Sequence, residues 1–319
     1  MSILLSILLN SVLPIFMTIA LGFALSKKFS LDSTTLTKIN FYLYTPAFAA
    51  VYIYTTDITA ELSRVFLLVA ALLLLNYLIG YLLSRLLKLK KTTAKTFQNS
   101  LMFFNSGNIG VSLIILVFSN PPFIIEGATP YLETALSVQV MVMIFMTLST
   151  NTLGIINSGG EGITLKTGAL YVLKMPVVYA VACAFLLKLL PLDFTTTPFW
   201  PVLTNFRNGL VGFALVTLGV QLAKSHLNFK FIAPYIAVFC RLIVSPAAAF
   251  LLIKIFGFSG VMAQTILIAS CAPAAVNTAL LAVEYKSDAD FAVQTVTLST
   301  LLSAVTMTVV VYLSMVLFR

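Results

Sequence analysis

The sequence predicts an all-α membrane protein with ten transmembrane helices, built as two inverted five-helix repeats in which helices four and nine are broken crossover helices. Three observations carry this expectation. Of 319 residues, 60% are hydrophobic and only 9% charged, with a mean hydropathy of +1.05; a soluble domain has about 25% charged residues. Ten apolar runs divide the chain, five on each side of a polar, glycine-rich stretch at 156–165. Runs four and nine are interrupted at corresponding places by residues that make poor helix. Because a spanning helix takes roughly 20 apolar residues, ten of them leave only short connections. A soluble enzyme domain, a receptor ectodomain and a nucleotide-binding module are thereby excluded.

The runs fall at about 3–25, 36–54, 64–87, 97–119, 130–155, 166–190, 198–222, 231–256, 260–283 and 289–317. The first has no basic region ahead of it, and Lys27 and Lys28 follow it. A cleavable signal peptide has the opposite order, so residues 3–25 are expected to be a retained helix. Pro14 and Pro46 should kink the first two helices. The cluster Arg85, Lys88, Lys90, Lys91 and Lys95 lies between runs three and four, where cytoplasmic loops collect positive charge. The net charge of +9 therefore marks topology rather than a nucleic-acid partner. Lys27, Lys28, this cluster, Lys166, Lys224, Lys230 and Lys286 gather on one side, against Arg64, Lys188, Lys254 and Arg319 on the other. Both termini are accordingly expected outside the cytoplasm.

The units are a first repeat at 1–155, a cytoplasmic loop at 156–165 and a second repeat at 166–319. Five helices per half reverses the second half. The loop is no phosphate-binding loop, because Leu165 precedes Lys166-Thr167 where a glycine is needed. Cys183, Cys240 and Cys271 are far apart inside apolar runs and read as small core residues. The single His226, beside Lys224, reads as solvated.

The candidate site follows from the two interruptions. Run four contains Asn105-Ser106-Gly107-Asn108-Ile109-Gly110, and run nine contains Cys271-Ala272-Pro273-Ala274-Ala275-Val276-Asn277. Glycine costs about 1 kcal/mol in a helix interior. Pro273 removes an amide donor and frees a carbonyl near Ala269. A helix breaks inside a membrane only where protein or water satisfies its backbone. Paired broken helices point to a transporter's binding site, where half-helix N-termini can seat a carboxylate. Asn105, Asn108 and Asn277 could add neutral donors and acceptors; the competing reading is close helix packing joined by amides. Gln139 and Gln294 lie mid-span and need partners, from substrate or a neighbouring helix. Arg207 either attracts the anion or snorkels outward from near the interface. Arg241 is expected to pair with backbone or an acid, and Lys174 to face a cavity or a partner. Acids within spans are nearly absent, with Glu133 starting run five and Glu284 ending run nine.

At these residues the chain resembles the auxin efflux carrier family, which includes plant auxin exporters and bacterial malate and malonate permeases. Asn105-Ser106-Gly107-Asn108-Ile109-Gly110-Val111-Ser112-Leu113 resembles the family's Asn-Thr-Gly-x-x-Gly-x-Pro-Leu, with Ser112 in place of the proline. Ala272 through Asn277, continuing to Glu284-Tyr285, is similar to the second crossover, Leu136-Ser137-Val138-Gln139 to the fifth-helix Val-Gln, and Gly219 to a seventh-helix glycine. The resemblance implies a secondary transporter for a small organic anion, with scaffold and transport domains each drawn from both repeats, working by an elevator-like movement, usually as a homodimer. The substrate would sit where helices four and nine cross, against Asn105, Ser106, Gly107, Asn108, Gly110, Gln139, Arg207, Pro273, Asn277 and Gln294. It implies no enzyme and no cofactor, leaves coupling to protons or sodium open, and suggests a bacterial cytoplasmic (inner) membrane. Ser112 leaves helix four either less sharply broken or using its hydroxyl instead.

Three alternatives stand beside it. A sodium-coupled bile-acid-type symporter shares the architecture. An intramembrane enzyme lacks its catalytic groups here, since one histidine cannot make His-Glu-x-x-His and Asp288-Ala-Asp290 is a lone pair. A channel would show charged rings or a repeated filter.

Overall fold

The computed structural model describes residues 3–57, 59–159, 170, 172–224 and 232–318. The remainder of the 156–165 loop beyond Gly159, the first residues of run six, Lys166, His226 and Lys230 lie outside the described residues. Among the described residues the chain is helical, with no strand. The helices are α1 (Ile3–Lys28), α2 (33–55), α3 (Ala60–Leu86), α4a (Lys91–Met102), α4b (Ser106–Phe118), α5 (Leu132–Ser158) and α6 (Pro176–Lys188). They continue as α7 (Trp200–Ala223), α8 (Ala233–Phe256), α9a (Gly260–Ser270), α9b (Val276–Glu284) and α10 (Ala289–Leu317).

Six of these are long and apolar enough to cross a membrane: α1, α3, α5, α7, α8 and α10. The other four predicted runs fall short for visible reasons. Helix α2 has a polar first half, from Ser33 to Asn40. Runs four and nine are split, and run six is described only in part. Capping side chains fix several starts. Thr59 Oγ1 accepts from the Leu62 amide at 3.1 Å. Asp288 Oδ1 does so for Phe291 at 3.1 Å. Asp32 accepts from the amides of Thr34 and Thr35. The Thr35 hydroxyl at 2.6 Å and these amides hold the Asp32 carboxyl below the usual carboxylate range. Helix α8 ends on Gly257, in the left-handed region at φ 71°.

Prolines bend the helices through widened turns. Pro14, Pro46 and Pro246 each sit just after a π-helical turn, at Leu8–Val12, Asn40–Tyr44 and Cys240–Val244. Proline removes an amide and clashes with the carbonyl four residues back. Shifting the preceding turn to i→i+5 bonding relieves that conflict without ending the helix. Two further π-turns, Ser106–Gly110 and Thr150–Gly154, contain glycine instead.

Two groups of helices form. In one, α7 packs along α1 and α2, and α6 packs on α2. The α1–α7 contact is backbone-close: a Cβ at Gly219 would stand 2.0 Å from the Ile19 carbonyl oxygen, and one at Gly22 would stand 2.2 Å from that of Val216. In the other group, α3 packs on α4a, α5 and α8, α9a on α5, α8 and α10, and α10 on α4a and α9b. Among the described residues, basic connections share one end of the molecule. There Lys27 Nζ donates to Ala223 O at 3.0 Å, Lys95 Nζ to Gly159 O at 2.6 Å, and Thr93 Oγ1 to Asp288 at 2.6 Å. Cys240 and Cys271 are buried as expected, whereas Cys183 is exposed on α6. Lys174 is exposed in the turn before α6 rather than facing a cavity.

Candidate binding site at the helix crossing

Between α4a and α4b, and between α9a and α9b, the backbone is extended, and the two extended pieces cross. Phe104 and Ala274 pair as an antiparallel bridge. The Asn105 amide donates to Pro273 O at 2.8 Å, and the Ala275 amide to Phe103 O at 2.9 Å. The Ala274 amide donates to Ser299 Oγ of α10 at 3.1 Å. Each break therefore satisfies the other's backbone, which is the condition for interrupting a helix within hydrocarbon. The carbonyl of Ala269 accepts from Ala272 N at 3.3 Å. Ser112 lies within α4b, and its hydroxyl donates to Asn108 O at 2.5 Å. The helix breaks ahead of it, at 103–105.

A cavity of about 100 Å³ lies against this crossing, walled by the N-termini of α4b and α9b together with α2, α5 and α7. Asn105, Ser106, Gly107, Asn108 and Asn277 line it, so five of the ten candidate residues come together. Among the described residues no Lys, Arg, Asp or Glu side chain lines it. Asn105 caps α4b, its Oδ1 accepting from Asn108 N at 3.2 Å. Asn105 is only 6% exposed, and its Nδ2 has no hydrogen-bond partner. Leaving such a donor dry and unpaired costs about 1–3 kcal/mol. A second cavity of about 440 Å³ adjoins, sharing Thr37, Gln221 and Val276, with Lys38, Lys224 and Asp290 at its rim.

None of the other five candidates lines the cavity, and Arg207 lies away from it, ten residues before Thr217 on α7. Gln139 is fully buried, and its Nε2 donates to Ser106 O at 2.7 Å, holding the first turn of α4b. Gly110 leaves room for that amide, since a Cβ there would stand 2.7 Å from Gln139 Nε2. Pro273 contributes its carbonyl to the crossing. Gln294 is buried in α10. Arg207 lies over the Tyr52 ring at 5.7 Å and donates from Nε to Asn208 Oδ1 at 3.1 Å.

Sequence reasoning missed two lining amides. Asn40 of α2 donates to Asn108 Oδ1 at 3.1 Å, and its own Oδ1 has no partner. Gln221 of α7 donates to Thr37 Oγ1 at 2.9 Å. Gln221, like Gln139, is an amide in an apolar run, whereas Asn40 lies in the polar first half of α2, and tertiary packing brings both to the cavity. Arg241 of α8 is fully buried and pairs with backbone: Nη1 donates to Leu101 O at 2.8 Å and Nη2 to Ser270 O.

Compared with known proteins, residues 169–311 match a family model described as membrane transport protein, the auxin efflux carrier family domain. No curated protein matches the chain.

Proposed function

Because residues 169–311 carry the auxin efflux carrier family domain, a domain of membrane transporters, we propose that the chain is a secondary carrier for a small organic anion bound through a carboxylate. The observation that carries this reading is the cavity at the crossing. Two helices of 13 and nine residues start at it, each presenting the positive end of its dipole. Amides of Asn105, Asn108 and Asn277 surround it, and Asn105 keeps an unpaired buried donor for an acceptor that is not protein.

The ten-helix inverted repeat belongs to the same proposal, and the helix pairings support it. The α1–α7 contact has its counterpart in α6–α2, α3–α4a in α8–α9a, α4a–α10 in α9a–α5, and α4b–α5 in α9b–α10. In this reading α1, α2, α6 and α7 form a scaffold, and the crossing group moves against it in an elevator-like step, within a homodimer. The end carrying Lys27, Lys95 and Lys224 faces the cytoplasm, so the larger cavity is a cytoplasmic vestibule. Both termini then lie on the far side of the bacterial cytoplasmic membrane.

The test is flux through purified protein in liposomes. Saturable, exchange-stimulated carboxylate uptake is expected. Asn105→Ala and Asn277→Ala should each cut it about tenfold or more, since each removes a hydrogen bond worth roughly 1.5–3 kcal/mol to a charged group. The reading fails if no carboxylate tested is bound or moved. An absolute sodium requirement would favour the bile-acid-type symporter instead.

A further inference from the structure

Four half-helix ends meet at the crossing, and their charges can be counted. Each helix end carries roughly half a unit charge, positive at the N-terminus and negative at the C-terminus. The C-terminal ends of α4a and α9a present the carbonyls of Leu101 and Ser270, and both accept from the one guanidinium of Arg241. That side chain is fully buried and faces the ring of Phe104 at 4.9 Å. Phe104 lines the cavity, whereas Arg241 does not. Two negative half-charges are thus offset by one buried cation behind the wall.

The N-terminal ends of α4b and α9b face the cavity, and there the sum is about one positive charge. No charged side chain among the described residues adds to it. Building on the carrier reading, we propose that the crossing is matched to a single negative charge. The cavity selects monocarboxylates over dicarboxylates, and Arg241 is the positioning residue that leaves the positive ends unopposed. Asn105 lines the cavity with a side chain 6% exposed, and its buried Nδ2, which has no protein partner, becomes a donor to the carboxylate on a turn of the side chain. Inside this cavity a second carboxylate would meet no charged side chain among the described residues.

The experiment uses the full chain in detergent and in liposomes, with probes of matched carbon number: butyrate against succinate, and hexanoate against adipate. Binding is read by thermal shift and by competition for uptake. Monocarboxylates should bind at least about tenfold tighter than the doubly ionised partner, a gap of about 1.4 kcal/mol. Dicarboxylate binding should rise as pH falls and the singly charged form appears. Arg241→Gln removes the charge and should weaken monocarboxylate binding about tenfold or more. Arg241→Lys, which keeps the charge, should recover most of it at an unchanged melting temperature. Should Arg241→Gln not fold, Arg241→Lys and the pH profile of the unaltered protein decide the matter. Equal affinity for doubly ionised dicarboxylates, or a folded Arg241→Gln that binds monocarboxylates normally, overturns this inference and leaves the carrier reading standing. Failure of every probe to bind or move overturns the carrier reading itself.

Discussion

At Asn105 three groups of one residue are placed differently. Its amide joins the other broken helix at Pro273 O, its Oδ1 caps α4b through Asn108 N, and its Nδ2 is buried without a hydrogen-bond partner. These roles can be separated by substitution. Asn105→Asp keeps the capping oxygen but replaces the donor with negative charge. It should fold with a near-normal melting temperature and lose carboxylate uptake entirely. Asn105→Ala loses the cap as well, worth about 1 kcal/mol, and should show a lowered melting temperature beside the loss of uptake. Asn105, Ser106, Gly107 and Asn108 were legible in the sequence, because two glycines and two asparagines inside an apolar run have few uses other than a break. Asn277 was legible through the matched Pro273. Asn40 and Gln221 were not, since only tertiary packing carries them to the cavity from α2 and α7. Gln139 was readable as a mid-span amide needing a partner, but that the partner is Ser106 O is likewise a tertiary fact.

Among the elements, the α1–α7 pair is the tightest and the pair of broken helices the most exacting. Gly219 sits where α7 meets the backbone of α1, so an added methyl has no flexible side chain to push aside. Gly219→Ala should force the helices apart and lower stability by about 1–3 kcal/mol, as overpacking generally does. A melting curve in detergent measures it, and an unchanged midpoint would contradict the contact. The same substitution at Gly212, where nothing lies within 4 Å of the added Cβ, is the control and should leave the midpoint in place. Prolines were readable as bends. Their accommodation by widened turns was not, because the choice between a kink and a π-turn depends on what the neighbouring helices fill. The glycine-containing π-turns at 106–110 and 150–154 give no period that distinguishes them from ordinary helix, yet Ser106 and Thr150 both face the cavity.

For the whole molecule, the proposed movement requires α2 and α4b to part, and they are joined by the Asn40–Asn108 hydrogen bond. Replacing the three native cysteines, introducing Asn40→Cys and Asn108→Cys, and cross-linking the pair with a short cleavable thiol reagent should stop uptake. Cleaving the link should restore whatever flux the uncross-linked double variant shows. Full flux through the linked protein would exclude a sliding step between these helices. The all-helical, membrane-spanning character was legible from charge and hydropathy alone, and six of the ten predicted runs are long, apolar helices among the described residues. Which helices pair was not legible, because apolar faces in lipid look alike in sequence.

The buried Arg241 guanidinium has an electrical consequence. If the crossing moves as a body, that charge goes with it. The crossing holding one monoanion then carries no net charge of its own, while the vacated crossing returns with one positive charge. Membrane voltage, worth about 2.3 kcal/mol per charge per 100 mV, would act on the solute-free return and not on the loaded step. A carrier so built would be clocked by the cell's voltage between deliveries.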